Sequence, residues 1–334
     1  MSLSSREIRL KSRPLGAPTA DNFELAEVTV SDPGPGEVQV KNQWMTVDPY
    51  MRGRMSDRKS YVPPFQIGEA LQGGAIGEVV ASNAPGFAPG DTVSSMFGWR
   101  EAFNAPAAAL QKLDTRGLPP QAFLGVAGMT GLTAYVGLIK IAALKPGDVV
   151  FVSAAAGAVG SVVCQIAKLH GHTVIGSAGG AEKVAFLKHI GVDAAIDYKA
   201  EPDLTAALAK AAPNGIDVYF DNVGGDHLNA ALAVANKSAR FALCGMISQY
   251  NSATGPVGPS NLILAVGKCL RLEGFIVSNH FDLMPDYLDH LAGWIKAGQI
   301  KWNESVEDGI ERAPAAFLKL FSGENMGKML VKLG

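Results

Sequence analysis

Short apolar runs and frequent turns characterise the first part of the chain. The runs GEVQVKNQWMTV (36–47) and AIGEVVAS (75–82) are rich in residue types that favour β-strands. Glycine and proline break the chain at DPGPG (32–36) and APGFAPGD (84–91). This pattern predicts a compact β-rich domain over residues 1–124.

The pattern changes near Leu124. Apolar residues recur at helical spacing over 129–144, and the KPGD turn (145–148) ends this helix. Strand-like and helix-like segments then alternate, which predicts a parallel, doubly wound sheet. The predicted strands are 149–155, 172–179, 193–198, 216–223, 239–245 and 270–277, and the predicted helices are 158–171, 182–191, 202–212 and 284–298.

The C-terminal run MGKMLVKL (326–333) predicts a lone strand after a helix, which we expect to return to the first domain. The fold class is therefore α/β, with a β-rich domain and a doubly wound parallel sheet domain. The first comprises residues 1–124 and 305–334, and the second comprises residues 125–304.

The start of the alternating half carries a candidate ligand site. Ala154, Gly157 and Gly160 have the spacing of a phosphate-binding turn, with alanine in the first position. A strand precedes this turn and a helix follows it, so the helix N-terminus offers amides to an anion. The pattern favours a dinucleotide site, and the alternative is a tight packing turn without a ligand.

The end of the second predicted strand indicates which dinucleotide binds. Sheets that bind NAD usually place an acid about 20 residues beyond the turn, to hold the ribose diol. This strand ends in GSAGG (176–180) without an acid, and Lys183 follows. Tyr198, at the tip of the third strand, offers a hydroxyl to a phosphate. These residues predict NADP(H), although Lys183 could also be an ordinary solvated lysine.

Composition excludes several classes of function. The formal net charge of −2 gives no electrostatic basis for binding nucleic acid. No apolar run is long enough to span a membrane, and the first residues lack the apolar core of a signal peptide, so we expect a cytoplasmic protein. No cysteine precedes Cys164 and no histidine precedes His170, which leaves the N-terminal half without typical zinc ligands. We therefore expect no metal.

The motifs of several catalytic mechanisms are also missing. The sequence contains no Tyr-x-x-x-Lys pair, no Gly-x-Ser-x-Gly and no phosphate-binding Gly-x-x-x-x-Gly-Lys-Ser/Thr. Conjugate reduction requires none of these motifs. Hydride adds to the β-carbon of an enone, and a neutral hydrogen-bond donor stabilises the charge that develops on the carbonyl oxygen. Tyr250, just past the fifth strand, and Tyr50, in VDPYMRG, are the candidate donors. The alternative for each is a half-buried structural tyrosine.

The chain resembles the zinc-independent medium-chain dehydrogenase/reductases, and within them the leukotriene B4 12-hydroxydehydrogenase, prostaglandin reductase, curcumin reductase and alkenal reductase group. This resemblance implies a GroES-like β domain split around a Rossmann domain, and a homodimer. The matching segments cover nearly the whole chain: 47–55, 68–80, 128–138, 154–168, 178–183, 220–225, 244–251, 274–277 and 323–333. Ala156 and Cys164 depart mildly from it, since many relatives have serine and glycine there.

The resemblance also implies site residues. It places the pyrophosphate on residues 155–160 and the 2′-phosphate on Lys183 and Tyr198. The residues implied to bind the cofactor are Ala155, Gly157, Ala158, Val159, Gly160, Lys183, Tyr198, Asn222, Cys244, Gly245, Met246, Ile247, Ser248, Tyr250, Phe275, Ile276, Val277 and Asn325.

Three functions remain open from the sequence. The first is NADPH-dependent reduction of the C=C bond of α,β-unsaturated ketones or aldehydes, with a small enone or enal as substrate. The second is an NADPH quinone oxidoreductase, and the third is an NADPH-binding module without turnover.

Overall fold

The computed structural model describes residues 2–334, and contacts divide them into two compact units. The first unit comprises residues 2–124 with Glu304–Asn325 and Met329–Gly334. The second comprises Gly125–Asn303 and Met326–Lys328.

Strands and helices follow in chain order. The strands are β1 (Leu3–Leu10), β2 (Phe23–Val30), β3 (Glu37–Thr46), β4 (Ala75–Ser82), β5 (Thr92–Ser95), β6 (Ala102–Pro106), β7 (Gln111–Lys112), β8 (Val149–Val152), β9 (Thr173–Ala178), β10 (Ala194–Asp197), β11 (Ile216–Asp221), β12 (Ala235–Leu243), β13 (Arg271–Gly274), β14 (Glu304–Asp308) and β15 (Lys328–Lys332). The helices are α1 (Met51–Arg54), α2 (Met129–Val136), α3 (Gly160–Leu169), α4 (Ala181–His189), α5 (Leu204–Ala211), α6 (Gly225–Val234), α7 (Leu264–Gly267), α8 (Met284–Lys296) and α9 (Ala313–Ser322). A π-helical turn, Gly137–Ile141, continues α2, and 3₁₀ turns lie at Ala20–Asn22, Ala107–Ala109, Pro120–Leu124, Ile247–Gln249, Val277–Leu283 and Ile310–Arg312.

The first unit is the predicted β-rich domain. β1 and β2 form an antiparallel pair, and the larger sheet has the order β14-β15-β3-β4-β5-β7, with β6 also on β3. Trp99, Phe23 and Phe317 pack together in its core, with ring centroids about 6 Å apart. The C-terminal strand β15 pairs antiparallel with β3, with Leu330 opposite Thr46, as predicted for this segment.

The second unit holds a parallel sheet of six strands in the order β10-β9-β8-β11-β12-β13. From β8, the chain first adds strands on one side of the sheet (β9, β10) and then on the other (β11, β12, β13). Ligands of such sheets bind at the carboxyl ends of the strands near this switch between β8 and β11. Phe151, Tyr219 and Phe241 lie fully inside the sheet's core. Most residues of its central strands are buried, so these strands are apolar runs rather than alternating ones.

Element bounds differ from the sequence prediction at several places, and β13 and α6 are two examples. The sixth strand was predicted over 270–277, but β13 ends at Gly274 because its partner β12 ends opposite it, at Leu243. Phe275–Val277 therefore lie in a loop and the start of a 3₁₀ turn. Helix α6 was not predicted. It begins after Gly224 and Gly225, which both have positive φ and gave no helix-start signal.

Met326–Lys328 pack with the second unit, although the predicted division put them in the first. The Gly327 amide donates to Ala156 O at 2.8 Å, and the Lys328 amide donates to Asn303 O at 2.9 Å. No helix within residues 2–334 has the length and apolarity needed to cross a membrane. In the same range, no group of three or more His, Cys, Asp or Glu side chains is placed to hold a metal ion.

Candidate active site

The turn between β8 and α3 is built from small residues in close contact. A Cβ on Gly160 would lie 2.4 Å from Ala154 O and 2.8 Å from Ala155 Cα, so only glycine fits there. The Gly157 amide donates to Ala154 O at 2.9 Å and closes the turn. Ala154, in the first motif position, has φ +47, a left-handed conformation that costs a non-glycine residue about 1–2 kcal/mol. Alanine thus serves in this position at the expense of modest backbone strain.

Helix α3 presents its N-terminus at this turn. The amides of a first helical turn have no partner within the helix and carry the positive end of its dipole. Ala155 and Ala156 are buried, and the Ala155 amide donates to Ser177 O at 2.9 Å, which fixes the turn against β9. The turn therefore leaves backbone amides near Ala158 and Val159 for an anion, and its small side chains suit a pyrophosphate.

The C-terminal segment supports the same turn. Gly327 has φ +67, and a Cβ there would lie 2.0 Å from Asn303 O. Its amide reaches Ala156 O, and Gly327 forms a parallel bridge with Gly157. Asn325, the residue implied to reach the cofactor, lies two residues before Gly327 in the chain.

Two lysines lie near the tips of β9 and β10. A Cβ on Gly179 would lie 2.9 Å from Lys199 Cε and 3.0 Å from Tyr198 Cζ, so both side chains rest against this glycine. Lys183, at the start of α4, is half-buried. Burial and then the charge of Lys199 lower the pKa of Lys183, and Glu182 opposes them. The tip thus holds two cations and a phenol, which suits a phosphate.

Lys199 was not among the predicted site residues. It lies directly after Tyr198, in the turn that follows β10. The chain turns at Asp197, whose Oδ1 accepts from the Gly180 amide at 2.9 Å and the Lys199 amide at 3.1 Å. This turn brings Lys199 to the same side as Lys183.

A buried histidine lies behind Tyr198. The His227 ring is perpendicular to the Tyr198 ring, with centroids 5.1 Å apart, and its Nε2 lies 3.0 Å from Ser177 Oγ. Burial lowers the pKa of His227 to about 4. The neutral imidazole, which α6 carries, therefore lies against Ser177 of β9 and fixes the position of the Tyr198 phenol.

A hydrogen-bond network orders the carboxyl ends of β8 and β11. Asp221 Oδ1 accepts from the Tyr219 hydroxyl at 2.7 Å and from the amides of Val223 and Gly224 at 2.9 and 2.8 Å. Asn222 donates from its amide to Ser153 Oγ at 2.9 Å and from Nδ2 to Ser153 O at 2.8 Å. Asn222 is thus held where the winding of the sheet reverses. The sequence analysis missed the Asp221 network.

The segment after β12 lies beside this network. The amides of Cys244 and Gly245 donate to Asp221 O at 2.9 and 3.0 Å. Tyr250 Oη accepts from the Met246 amide at 3.2 Å and lies 2.9 Å from where a Cβ on Gly245 would be. Tyr250 therefore folds back over the carboxyl end of β12. Burial and then the charge of Asp221 raise the pKa of Cys244 to about 12, so the thiol keeps its proton.

The remaining predicted residues lie at two places. Phe275 stacks edge-on against Phe220, with centroids 6.3 Å apart, and a Cβ on Gly137 would lie 2.9 Å from Phe275 Cζ. Ile276 and Val277 follow it into a 3₁₀ turn. Tyr50 belongs to the first unit, where it precedes α1 and is half-buried. Burial and then Asp48 raise the pKa of Tyr50.

The second unit therefore brings most of the predicted residues to the carboxyl edge of one sheet. Tyr50 and Asn325 belong to the first unit. The residues at this edge or in the loops that follow it are Ala155, Gly157, Ala158, Val159, Gly160, Lys183, Tyr198, Asn222, Cys244, Gly245, Met246, Ile247, Ser248, Tyr250, Phe275, Ile276 and Val277.

Two family models and several full-length relatives match the chain. Residues 6–113 match the family model "N-terminal domain of oxidoreductase", and residues 158–293 match "Zinc-binding dehydrogenase". A putative NADP-dependent oxidoreductase of Bacillus subtilis is 46% identical over 100% of this chain and 99% of its own. The NADPH-dependent curcumin reductase of Escherichia coli is 42% identical over 97% and 95%, and the NADP(+)-dependent 2-alkenal reductase of Nicotiana tabacum is 42% identical over 98% and 97%.

A solved structure shares the fold of this chain. CurA of Vibrio vulnificus in complex with NADPH is 42% identical, covers 98% of this chain and 99% of its own, and has a TM-score of 0.94. The chain belongs to the medium-chain dehydrogenase/reductase family, in the group of NADP-dependent oxidoreductases that includes these reductases. The resemblance, the pairing of a GroES-like domain with a Rossmann domain, and the family's use of NADP(H) are confirmed.

Proposed function

We propose that the protein reduces the C=C bond of α,β-unsaturated ketones or aldehydes with NADPH. The observation that carries the proposal is the full-length similarity, at 42% identity, to reductases named for curcumin and for 2-alkenals. The strand tip with Lys183 and Lys199 supports the choice of NADPH, because two cations favour the 2′-phosphate that distinguishes NADPH from NADH.

Each part of the carboxyl edge has a proposed role. Residues 155–160 bind the pyrophosphate through backbone amides, and Lys183, Tyr198 and Lys199 bind the 2′-phosphate. Bound NADPH supplies the hydride. The residues proposed to line the nicotinamide side are Asn222, Cys244, Gly245, Met246, Ile247, Ser248, Tyr250, Phe275, Ile276, Val277 and Asn325.

The proposed catalytic groups are the phenols of Tyr250 and Tyr50. Addition of hydride to the β-carbon moves the alkene electrons toward the carbonyl oxygen, which becomes an enolate. A hydroxyl that hydrogen-bonds this oxygen binds it more tightly as the charge develops, and so lowers the barrier. Burial keeps the Tyr50 proton in place at neutral pH, since it raises the pKa of the phenol.

The test is the loss of NADPH absorbance at 340 nm with a ladder of enones, 2-alkenals and quinones, repeated with NADH. We expect turnover of enones and alkenals, with a far lower KM for NADPH than for NADH. Turnover confined to quinones would replace the proposal with a quinone reductase. Binding of NADPH with no turnover of the panel would replace it with a binding module.

We also propose a homodimer. Strand β13 ends the sheet of the second unit and pairs with β12 along one edge. The preceding segment exposes four apolar side chains: Val257, Leu262, Ile263 and Val266. A second copy would cover both features, and light scattering of the chain and of Ile263→Glu tests this. We expect the parent chain to be a dimer and Ile263→Glu to dissociate more readily. A monomeric parent chain would refute the proposed homodimer. A cytoplasmic location stays a prediction.

A further inference from the structure

Arg54, at the end of α1, is a buried cation with several fixed contacts. Arg54 is only 8% exposed to solvent. Nε donates to Pro63 O and Nη2 donates to Gln72 Oε1, both at 2.9 Å, and Cζ lies 4.1 Å from the centroid of the Phe65 ring. These partners are neutral. They hold the guanidinium in one orientation and tie α1 to the loop that follows it.

Tyr50 lies on the same face of this helical turn. The Gly53 amide donates to Tyr50 O at 3.0 Å, so the backbone is helical from Tyr50 onward. Residues four apart on a helix are neighbours, which places Arg54 beside Tyr50. The two side chains interact directly, and the cation opposes the rise that burial causes in the pKa of Tyr50.

The chemistry of arginine decides the direction of this contact. A guanidinium has only donors, so the Tyr50 oxygen accepts from Arg54. The tyrosine proton is then left for another acceptor. The positive charge beside the oxygen also polarises the O–H bond, which strengthens it as a donor to a developing negative charge.

We propose that Arg54 is the positioning residue that makes Tyr50 a fixed hydrogen-bond donor to the carbonyl oxygen of the enone. This inference rests on the proposed function and adds a residue to it. A hydrogen bond from Tyr50 becomes stronger as negative charge develops on the carbonyl oxygen, so it stabilises the transition state more than the bound substrate. Loss of Arg54 should therefore lower kcat more than it raises KM.

Arg52 provides a matched control on the same short helix. It is 5% exposed and donates to Gly16 O at 2.7 Å and to Ser56 Oγ at 3.1 Å. It is two residues from Tyr50, and residues at that spacing do not share a helix face. Arg52→Lys thus tests the effect of disturbing a buried arginine in this segment without acting through the Tyr50 hydroxyl.

The experiment is a double-mutant cycle on the full chain, with NADPH and the enone that the unmodified chain reduces fastest. We expect Tyr50→Phe to lower kcat about 100-fold and Arg54→Lys about tenfold, with KM nearly unchanged. The double variant should match Tyr50→Phe alone, because Arg54 acts through the hydroxyl that is already absent. Arg52→Lys should instead act independently, so that any factor by which it lowers kcat multiplies with the factor caused by Tyr50→Phe.

Multiplied effects of Arg54→Lys and Tyr50→Phe would overturn the inference, as would full kcat in Tyr50→Phe. Thermal unfolding and the Kd for NADPH check that each variant is folded. If Arg54→Lys does not fold, Gln72→Leu removes one anchor of the guanidinium. It should lower kcat about threefold in the parent chain and leave Tyr50→Phe unchanged. A chain that reduces no enone would refute the proposed function and this inference together, whereas multiplied effects refute the inference alone.

Discussion

The two phosphate subsites of the second unit are built in different ways. The turn at residues 154–160 is formed by backbone in close contact, and Gly160 is required because a side chain would meet Ala154 O. The tip formed by β9 and β10 is made of side chains, with Lys183 and Lys199 near each other. In the proposed function, the first subsite binds the pyrophosphate that all dinucleotides share, and the second binds the 2′-phosphate of NADPH alone. Affinity and selectivity can therefore be changed separately.

The largest effect is expected from Gly160→Ala. The added Cβ would meet backbone at 2.4 Å, and forced overpacking of this kind costs about 1–3 kcal/mol. Because the first turn of α3 must move, the Kd for NADPH and for NADH should rise together, by about tenfold or more. Gly293→Ala is the control, since a Cβ there meets nothing within 4 Å in α8. Isothermal titration with both dinucleotides checks this, and unchanged Kd values for Gly160→Ala would refute the role of the turn.

The histidine behind the tip predicts a pH dependence of stability. The pKa of His227 is about 4 in the folded protein because of burial, against about 6.5 when unfolded. Between these values the unfolded chain binds the extra proton, so stability falls as pH falls from 6.5 to 4 and is fully present above pH 6.5. The loss is up to about 3 kcal/mol from this group. Urea unfolding at pH 7 and pH 4.5 should show a smaller difference for His227→Gln than for the parent chain, and equal differences would contradict the assignment.

Lys183→Ala should change selectivity instead of general affinity. A charge-assisted contact with phosphate contributes about 1.5–3 kcal/mol, so the Kd for NADPH should rise by about tenfold or more. The Kd for NADH should stay the same or fall, because the repulsion between Lys183 and Lys199 is removed. Lys188→Ala, an exposed lysine of the same helix, is the control. Equal changes in both Kd values would remove Lys183 from the 2′-phosphate subsite.

Lys199→Ala should have the smallest effect of the series. Its side chain is exposed, so solvent screens its charge and the Kd for NADPH should rise only about threefold. The rise should shrink at 0.5 M salt, where exposed charges are screened more strongly. Fluorescence titration of NADPH at two salt concentrations measures it. A Kd that does not change at low salt would show that Lys183 and Tyr198 suffice.

The same contrast explains what the sequence could predict. Glycine spacing and strand–helix alternation reflect local backbone sterics, so the turn and the parallel sheet were predictable. The return of β15 to the first domain was also predicted, but its pairing with β3 was not. The place of Lys199 depends on how the chain turns after Asp197, which Asp197 Oδ1 sets through two amides. Helix α6 begins at two glycines with positive φ, and no capping residue marks it.

Side-chain burial was the hardest property to predict. The burial of Arg54 depends on Pro63, Phe65 and Gln72, which contact it only after the loop has folded onto α1. The Asp221 network likewise joins β8 to β11 across residues far apart in the chain. Tertiary packing decides both, and neither leaves a periodic pattern in the sequence.

The most direct measurement of the central claim follows the transferred hydrogen. An enone is reduced with NADPH that carries deuterium at the transferring C4 position, and the product is examined by NMR. The account predicts a saturated ketone with deuterium on the β-carbon and a solvent-derived hydrogen on the α-carbon. Deuterium on the carbonyl carbon, in an allylic alcohol that keeps its double bond, would contradict it.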